Sequence, residues 1–170
     1  AAARRLVYHH AYANLNLAGV LLIQGRLEAA AEHAATAQRQ VEALNLPELS
    51  SEAYRVQADL HLAQQDWEPA RAAAVRAAAL GAEQSDRSQE AAAWRLLAEI
   101  ELEQGLVPPA RAALDKAWAA SRGMISPFEV GRVAAQAGRV SAYVGEMDAA
   151  RDHLARARAV FTALGARYEL

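Results

Sequence analysis

The chain has 170 residues, no cysteine, and 18 basic against 20 acidic side chains for a formal net charge of −2. That excludes disulfide scaffolds, thiol catalysis and cysteine-ligated zinc. The 17 arginines and one lysine, Lys116, are spread along the chain without the basic stripe that nucleic-acid binding requires, and 45 alanines with only two phenylalanines direct the chain towards helix rather than sheet.

In chain order, Arg4 and Arg5 precede Leu6 and Val7, but Tyr8, His9 and His10 interrupt any signal-peptide core. The longest apolar run, 17–23, falls well short of the roughly 18 residues of a membrane span, so no membrane partner is expected and the cytoplasm is the expected compartment. Apolar residues at helical spacing, such as Leu17, Leu21 and Leu22, mark a first helix, and the same reasoning predicts eight helices: 3–24, 28–44, 50–64, 68–80, 88–104, 108–121, 128–144 and 148–164. The polar stretches 45–51, 81–88 and 121–127 are expected to be loops within one domain, with 82–89 the most mobile. The missing initiator Met and the end at Leu170 read as a fragment of a longer polypeptide, stopping where 167–170 would begin a ninth helix.

The organising feature is an internal repeat. Gly-Arg-Leu-Glu-Ala-Ala at 25–30 returns as Gln-Asp-Trp-Glu-Pro-Ala at 65–70, Gly-Leu-Val-Pro-Pro-Ala at 105–110 and Gly-Glu-Met-Asp-Ala-Ala at 145–150, a period of 40 residues. Small residues recur in register: Ala18, Ala58, Ala98 and Gly138 upstream, and Ala37, Ala77, Ala117 and Ala157 downstream. Each unit is predicted to be two helices joined by a short turn. Gly25, Gly105 and Gly145 stand where a left-handed residue ends a helix, with Gln65 in that slot in the second unit. Pro69 and Pro109 share one slot and place the start of the second helix, because proline is tolerated only where its lost N–H has no helical partner. Leu27, Trp67, Val107 and Met147 would lie just before that helix as a staple. The small columns allow close antiparallel crossing of the pair.

These columns resemble the tetratricopeptide repeat (TPR), most closely in the third unit, with Trp94, Leu97, Ala98, Gly105, Ala110, Leu114 and Ala117; Tyr54 supplies the aromatic in the second unit, while Asn14 and Ala134 stand there in the first and fourth. The 40-residue period exceeds the usual 34 and is similar to the long repeats of bacterial LuxR-type transcriptional regulators and signalling ATPases. The resemblance implies an all-α solenoid of four helix-turn-helix repeats, at about 11–50, 51–90, 91–130 and 131–170, wound as a right-handed superhelix. It further implies that the first helix of each pair lines a concave face that binds a peptide or protein segment. Carried over by repeat position, that face holds Tyr12, Leu15, Gly19, Leu22 and Ile23, then Arg55, Asp59 and Leu62, then Arg95, Glu99 and Glu103, and finally Arg132, Arg139 and Tyr143. The Lys and Asn clamp of chaperone-binding members is absent: Leu15 and Gly19 stand where those residues would be, and only Asn16, beside them, matches.

No catalytic constellation emerges, and no cofactor or metal site is expected. His9 and His10 are adjacent and point about 100° apart, so they cannot chelate one ion. His33 and His153 share a repeat position, three units apart, and His61 has no ligating pattern around it. The serines, among them Ser50, Ser51, Ser121 and Ser141, read as loop and cap residues, and the isolated glycines form no phosphate cradle. Glu99 and Glu103 are helix neighbours of Arg95 and read as salt-bridge partners. The expected role is a noncatalytic protein-interaction module of a bacterial regulator. A small-molecule sensor and a structural homo-oligomer are the alternatives, and a solvated face in which Arg55 pairs with Asp59 and Arg95 with Glu99 would bind nothing. Apolar terminal faces such as Val160, Phe161 and Leu164 are expected to promote self-association.

Overall fold

In the computed structural model the described residues are 2–122 and 127–166, and they are all-α, with no strand among them. Eight helices follow in order: α1 (Ala2–Ile23), α2 (Leu27–Ala43), α3 (Pro47–Ala63), α4 (Trp67–Glu83), α5 (Arg87–Glu103), α6 (Val107–Ser121), α7 (Pro127–Tyr143) and α8 (Met147–Ala163). They pair as the hairpins α1/α2, α3/α4, α5/α6 and α7/α8, which makes this an all-α repeat fold of the solenoid class. The chain divides into two compact units, Ala1–Gln84 and Ser85–Leu170, of two hairpins each.

The turns explain the regularity. Most helices are 17 residues long and are joined by three-residue turns, so the 40-residue repeat is built from two 20-residue modules. The middle residue of each described turn has a positive φ: Gly25, Asn45, Gln65, Ser85, Gly105, Gly145 and Gly165. This left-handed residue lets the third turn residue fold back. The amides of Arg26, Leu46, Asp66, Leu106, Glu146 and Ala166 each donate at 2.9 Å to the carbonyl five residues earlier, closing a Schellman motif that satisfies carbonyls the helix end leaves open. The same third residue is the N-cap of the following helix, and the carbonyls of Arg26, Asp66, Leu106 and Glu146 accept from the amides of Ala30, Ala70, Ala110 and Ala150. One residue thus ends one helix and starts the next. Only Asp86 among the described caps uses its side chain, accepting from the amides of Ser88 and Gln89 at 3.1 Å each.

Several boundaries differ from the sequence reading. Leu27, Trp67, Val107 and Met147 are the first residues of their helices and not preceding staples. Pro69 and Pro109 therefore sit third in α4 and α6, still within the first turn, where amides lack helical acceptors. Neither 45–51 nor 81–88 is a long loop: α3 starts at Pro47, α4 runs through the buried Gly81 to Glu83, and only 84–86 link α4 to α5. Ser51 is consequently a buried helix residue, its hydroxyl donating to the Ala77 carbonyl at 2.8 Å and fastening α3 to α4. The expected ninth helix at 167–170, and most of the connection at 121–127, lie outside the described residues.

Packing follows the small columns. Ala18, Ala58 and Ala98, Ala30, Ala70, Ala110 and Ala150, and Ala37, Ala77, Ala117 and Ala157 are all buried. Gly138 holds this column in the fourth hairpin, where a Cβ would lie 2.8 Å from Leu154 Cγ and would make that side chain shift. In the first unit, Ala11, Leu15 and Ala18 of α1 join Ala34, Ala37 and Val41 of α2 and Leu49, Ala53 and Val56 of α3 in one apolar cluster. In the second, Phe161 is packed edge-on against Phe128 with ring centroids 5.6 Å apart. Burial of this kind, at roughly 25 cal/mol per Å² of apolar surface, holds the hairpins together.

Two substitutions test this construction. Ala110→Leu overpacks the α5/α6 crossing and should lower unfolding stability by about 1–3 kcal/mol in a urea titration. Gln65→Gly relieves a left-handed non-glycine residue and should raise it by about 1 kcal/mol; no gain would mean that this turn does not hold the positive φ.

Candidate functional site

The first helices of the hairpins carry the predicted binding face. In Ala1–Gln84, Tyr12 is exposed, Leu22 and Leu62 are half-buried, and Arg55 is bonded along its own helix to Asp59 at 2.9 Å, with Glu52 at 3.7 Å. Leu15 departs from the expectation. It is 1% exposed and forms part of the α1/α2/α3 core, so it presents no surface to a partner. The reason is its helical phase, which is shared with the buried Ala11 and Ala18. Gly19 is half-buried and Ile23 is 89% exposed at the end of α1.

In Ser85–Leu170 the charged residues form a ladder between α5 and α7. The Arg139 guanidinium reaches across to two carboxylates of α5, at 2.8 Å to Glu99 Oε1 and 2.9 Å to Glu103 Oε1, and also donates to Gln136 Oε1 at 3.1 Å. One turn deeper, Arg95 is buried and bonded through Nε to Glu129 Oε1 at 2.8 Å; both side chains are less than one-tenth exposed. Glu99 Oε2 lies 3.7 Å from Arg95, and Glu129 Oε2 lies 4.0 Å from Arg132. Arg95 is therefore a structural ion-pair residue and not part of an accessible groove, and its main partner is on the neighbouring hairpin rather than the helix neighbour Glu99. Glu129 was missed by the sequence reading because the pair is separated by 34 residues, beyond any helical spacing. Arg132, Arg139, Glu99 and Glu103 remain at the surface beside Tyr143, which is 60% exposed. The Tyr143 hydroxyl lies so close to the α5/α6 turn that a Cβ on Gly105 would sit 3.1 Å from it.

The inner and outer pairs of this surface differ electrostatically. A buried arginine and glutamate are costly to desolvate and must be held in hydrogen-bonding geometry, while the outer pairs, nearly half-exposed, add little stability individually but fix the spacing of charges. The chemistry it offers is recognition: alternating cations and carboxylates with an aromatic at one end.

A second concavity of about 360 Å³ lies in the same unit between α6 and α8, floored by Ala137, Val140 and Ser141 of α7. Trp118 and His153 form its walls, with ring centroids 6.5 Å apart, and Arg156 lies 4.5 Å over the Trp118 ring. Arg111 and Glu146 pair across one end at 2.6 Å. The sequence reading passed over Trp118. His33 and His153, equivalent by repeat, have different neighbours: His33 Nδ1 is 2.7 Å from Asn14 Oδ1, tying α2 to α1, and where the first hairpin has Asn14 the fourth has Ala134. Among the described residues no group of three or more His, Cys, Asp or Glu could hold a metal ion, and no helix is long and apolar enough to cross a membrane.

No family model matches the chain, and no curated protein does. Among solved structures it is similar to the crystal structure of BtubC (BKLC) from P. vanneervenii, with a TM-score of 0.67 and 18% identity over 93% of this chain. The chain spans 65% of the length of that structure. At that identity the likeness shows the fold alone.

The ladder has a measurable signature. Arg95→Met leaves Glu129 buried without its principal cation and should cost about 3–5 kcal/mol of stability, whereas the double change with Glu129→Met should recover most of that loss. Arg139→Ala, at the surface, should cost no more than about 1 kcal/mol. Equal losses at Arg95 and Arg139 in chemical denaturation would contradict the assignment of a buried inner pair and an exposed outer one.

Proposed function

We propose that this protein is a noncatalytic interaction module that holds a peptide or protein segment against its first helices. The observation that carries this reading is the α5/α7 surface, where Arg139 is fixed between Glu99 and Glu103 next to the exposed Tyr143. A partner meeting preformed charges and an aromatic ring loses less freedom on binding than one that must order them. The segment that fits carries an apolar or aromatic residue for Tyr143, flanked by residues of both charge signs. The resemblance to the long-repeat modules of LuxR-type regulators and signalling ATPases supports placing such a module in a bacterial regulator acting in the cytoplasm.

A second reading, a small-molecule sensor, is supported by the concavity walled by Trp118 and His153, whose volume lies in the range of small-ligand sites.

Selection of a displayed random-peptide library against the full chain separates the two. The interaction reading expects enriched peptides with mixed charge and an apolar anchor, whose affinity falls about tenfold or more in Tyr143→Ala and is unchanged in Trp118→Ala. Failure to enrich any peptide, or enriched peptides indifferent to Tyr143→Ala, would overturn it.

A further inference from the structure

The concavity between α6 and α8 holds polar side chains that the repeat does not require. At the position of Asp115 the other hairpins have Ala35, Val75 and Ala155, and at the position of Trp118 they have Gln38, Ala78 and Arg158. Arg111, one turn before Asp115 on α6, is taken by Glu146 across one end of the cavity at 2.6 Å, and the two cancel in charge. The Asp115 side chain has no ion pair or hydrogen bond among the described residues, so it is the uncompensated charge of the lining. Ser141 is 7% exposed, and its hydroxyl likewise has no partner there, although buried hydroxyls are normally hydrogen-bonded. Both side chains line the cavity, with the apolar Leu114, Ala137, Val140 and Ala149 around them. Trp118 is anchored by packing on the cluster of Ala134, Ala157 and Phe161, and its ring carries the Arg156 guanidinium at 4.5 Å. The aromatic wall thus already attracts a cation.

We propose that this concavity binds a small amine with an aromatic or other apolar body. Asp115 pairs with the ammonium, the Ser141 hydroxyl supplies a second hydrogen bond, and the body of the ligand lies on the apolar side chains beside Trp118. The volume of about 360 Å³ is near the lower end of the range for small-ligand sites, which suits a single ring on a short chain. A carboxylate ligand would meet Asp115 and Glu146, while Arg111, the one arginine of the lining, is already neutralised. A neutral ligand would leave Asp115 without a counter-charge. The inference rests on the second functional reading, in which the cavity is a small-molecule site, and names the class of molecule it takes.

The test uses the full chain and three probes of nearly equal shape: phenethylamine, phenethyl alcohol and phenylacetate. Binding is followed at the indole N–H resonance of Trp118, which Trp118→Phe identifies among the three tryptophans. Phenethylamine should shift that resonance saturably and bind at least about fivefold more tightly than the alcohol, with phenylacetate the weakest of the three. Asp115→Asn should abolish the preference for the amine, and Ser141→Ala should weaken its binding by about threefold or more, with helical circular dichroism unchanged in both. Equal affinity for amine and alcohol, tighter binding of phenylacetate, or a preference that survives Asp115→Asn would overturn the amine assignment while leaving the cavity a small-molecule site. No shift with any of the three probes would overturn both.

Discussion

The constraint on which the rest of the structure depends is a three-residue turn that serves two helices at once. Its middle residue takes a left-handed backbone, and its third residue closes the preceding helix through its amide and opens the following one through its carbonyl. With 17-residue helices on either side, every such turn resets the phase after 20 residues. The same helical positions therefore meet at each crossing, and small residues are needed in the same columns in all four hairpins. In the fourth hairpin Gly138 stands in place of the alanine of Ala18, Ala58 and Ala98, and a Cβ there would lie 2.8 Å from Leu154 Cγ.

Much of this was legible because turn chemistry and packing both leave periodic marks. The 40-residue repeat, the alanine columns and the glycines at 25, 105 and 145 are visible in the letters and define the hairpins. The finer 20-residue module was hidden. At 45 and 85 the left-handed position is held by Asn and Ser, which inside polar stretches look like ordinary loop residues, so two compact turns read as long connections. Asn tolerates that conformation through its short polar side chain, whereas Gln65 holds it because the flanking helices and the Schellman bonds determine it.

The face residues were legible only in part. Spacing placed Arg55 beside Asp59, and so they stand. It could not place Arg95 beside Glu129, since cross-hairpin contacts depend on which sides of α5 and α7 meet. Leu15 was assigned to the face by repeat position but belongs to the core, because the first hairpin puts a leucine where the third puts the buried Arg95; Leu15 packs with Leu49, as Arg95 bonds to Glu129. One repeat position thus supports either an apolar contact or an ion pair, provided both members change together. The result in the second unit is a charged α5/α7 face tied by its own ladder of ion pairs.

The most direct test of the central claim is native-state hydrogen exchange at the turn amides. If the shared turns set the register, the amides of Arg26, Leu46, Asp66, Leu106 and Glu146, all outside the helices, should exchange as slowly as those of the adjoining helical turns, because each is bonded to a carbonyl five residues back. Exchange at the rate of an open loop at these positions, with the helices still protected, would contradict the account.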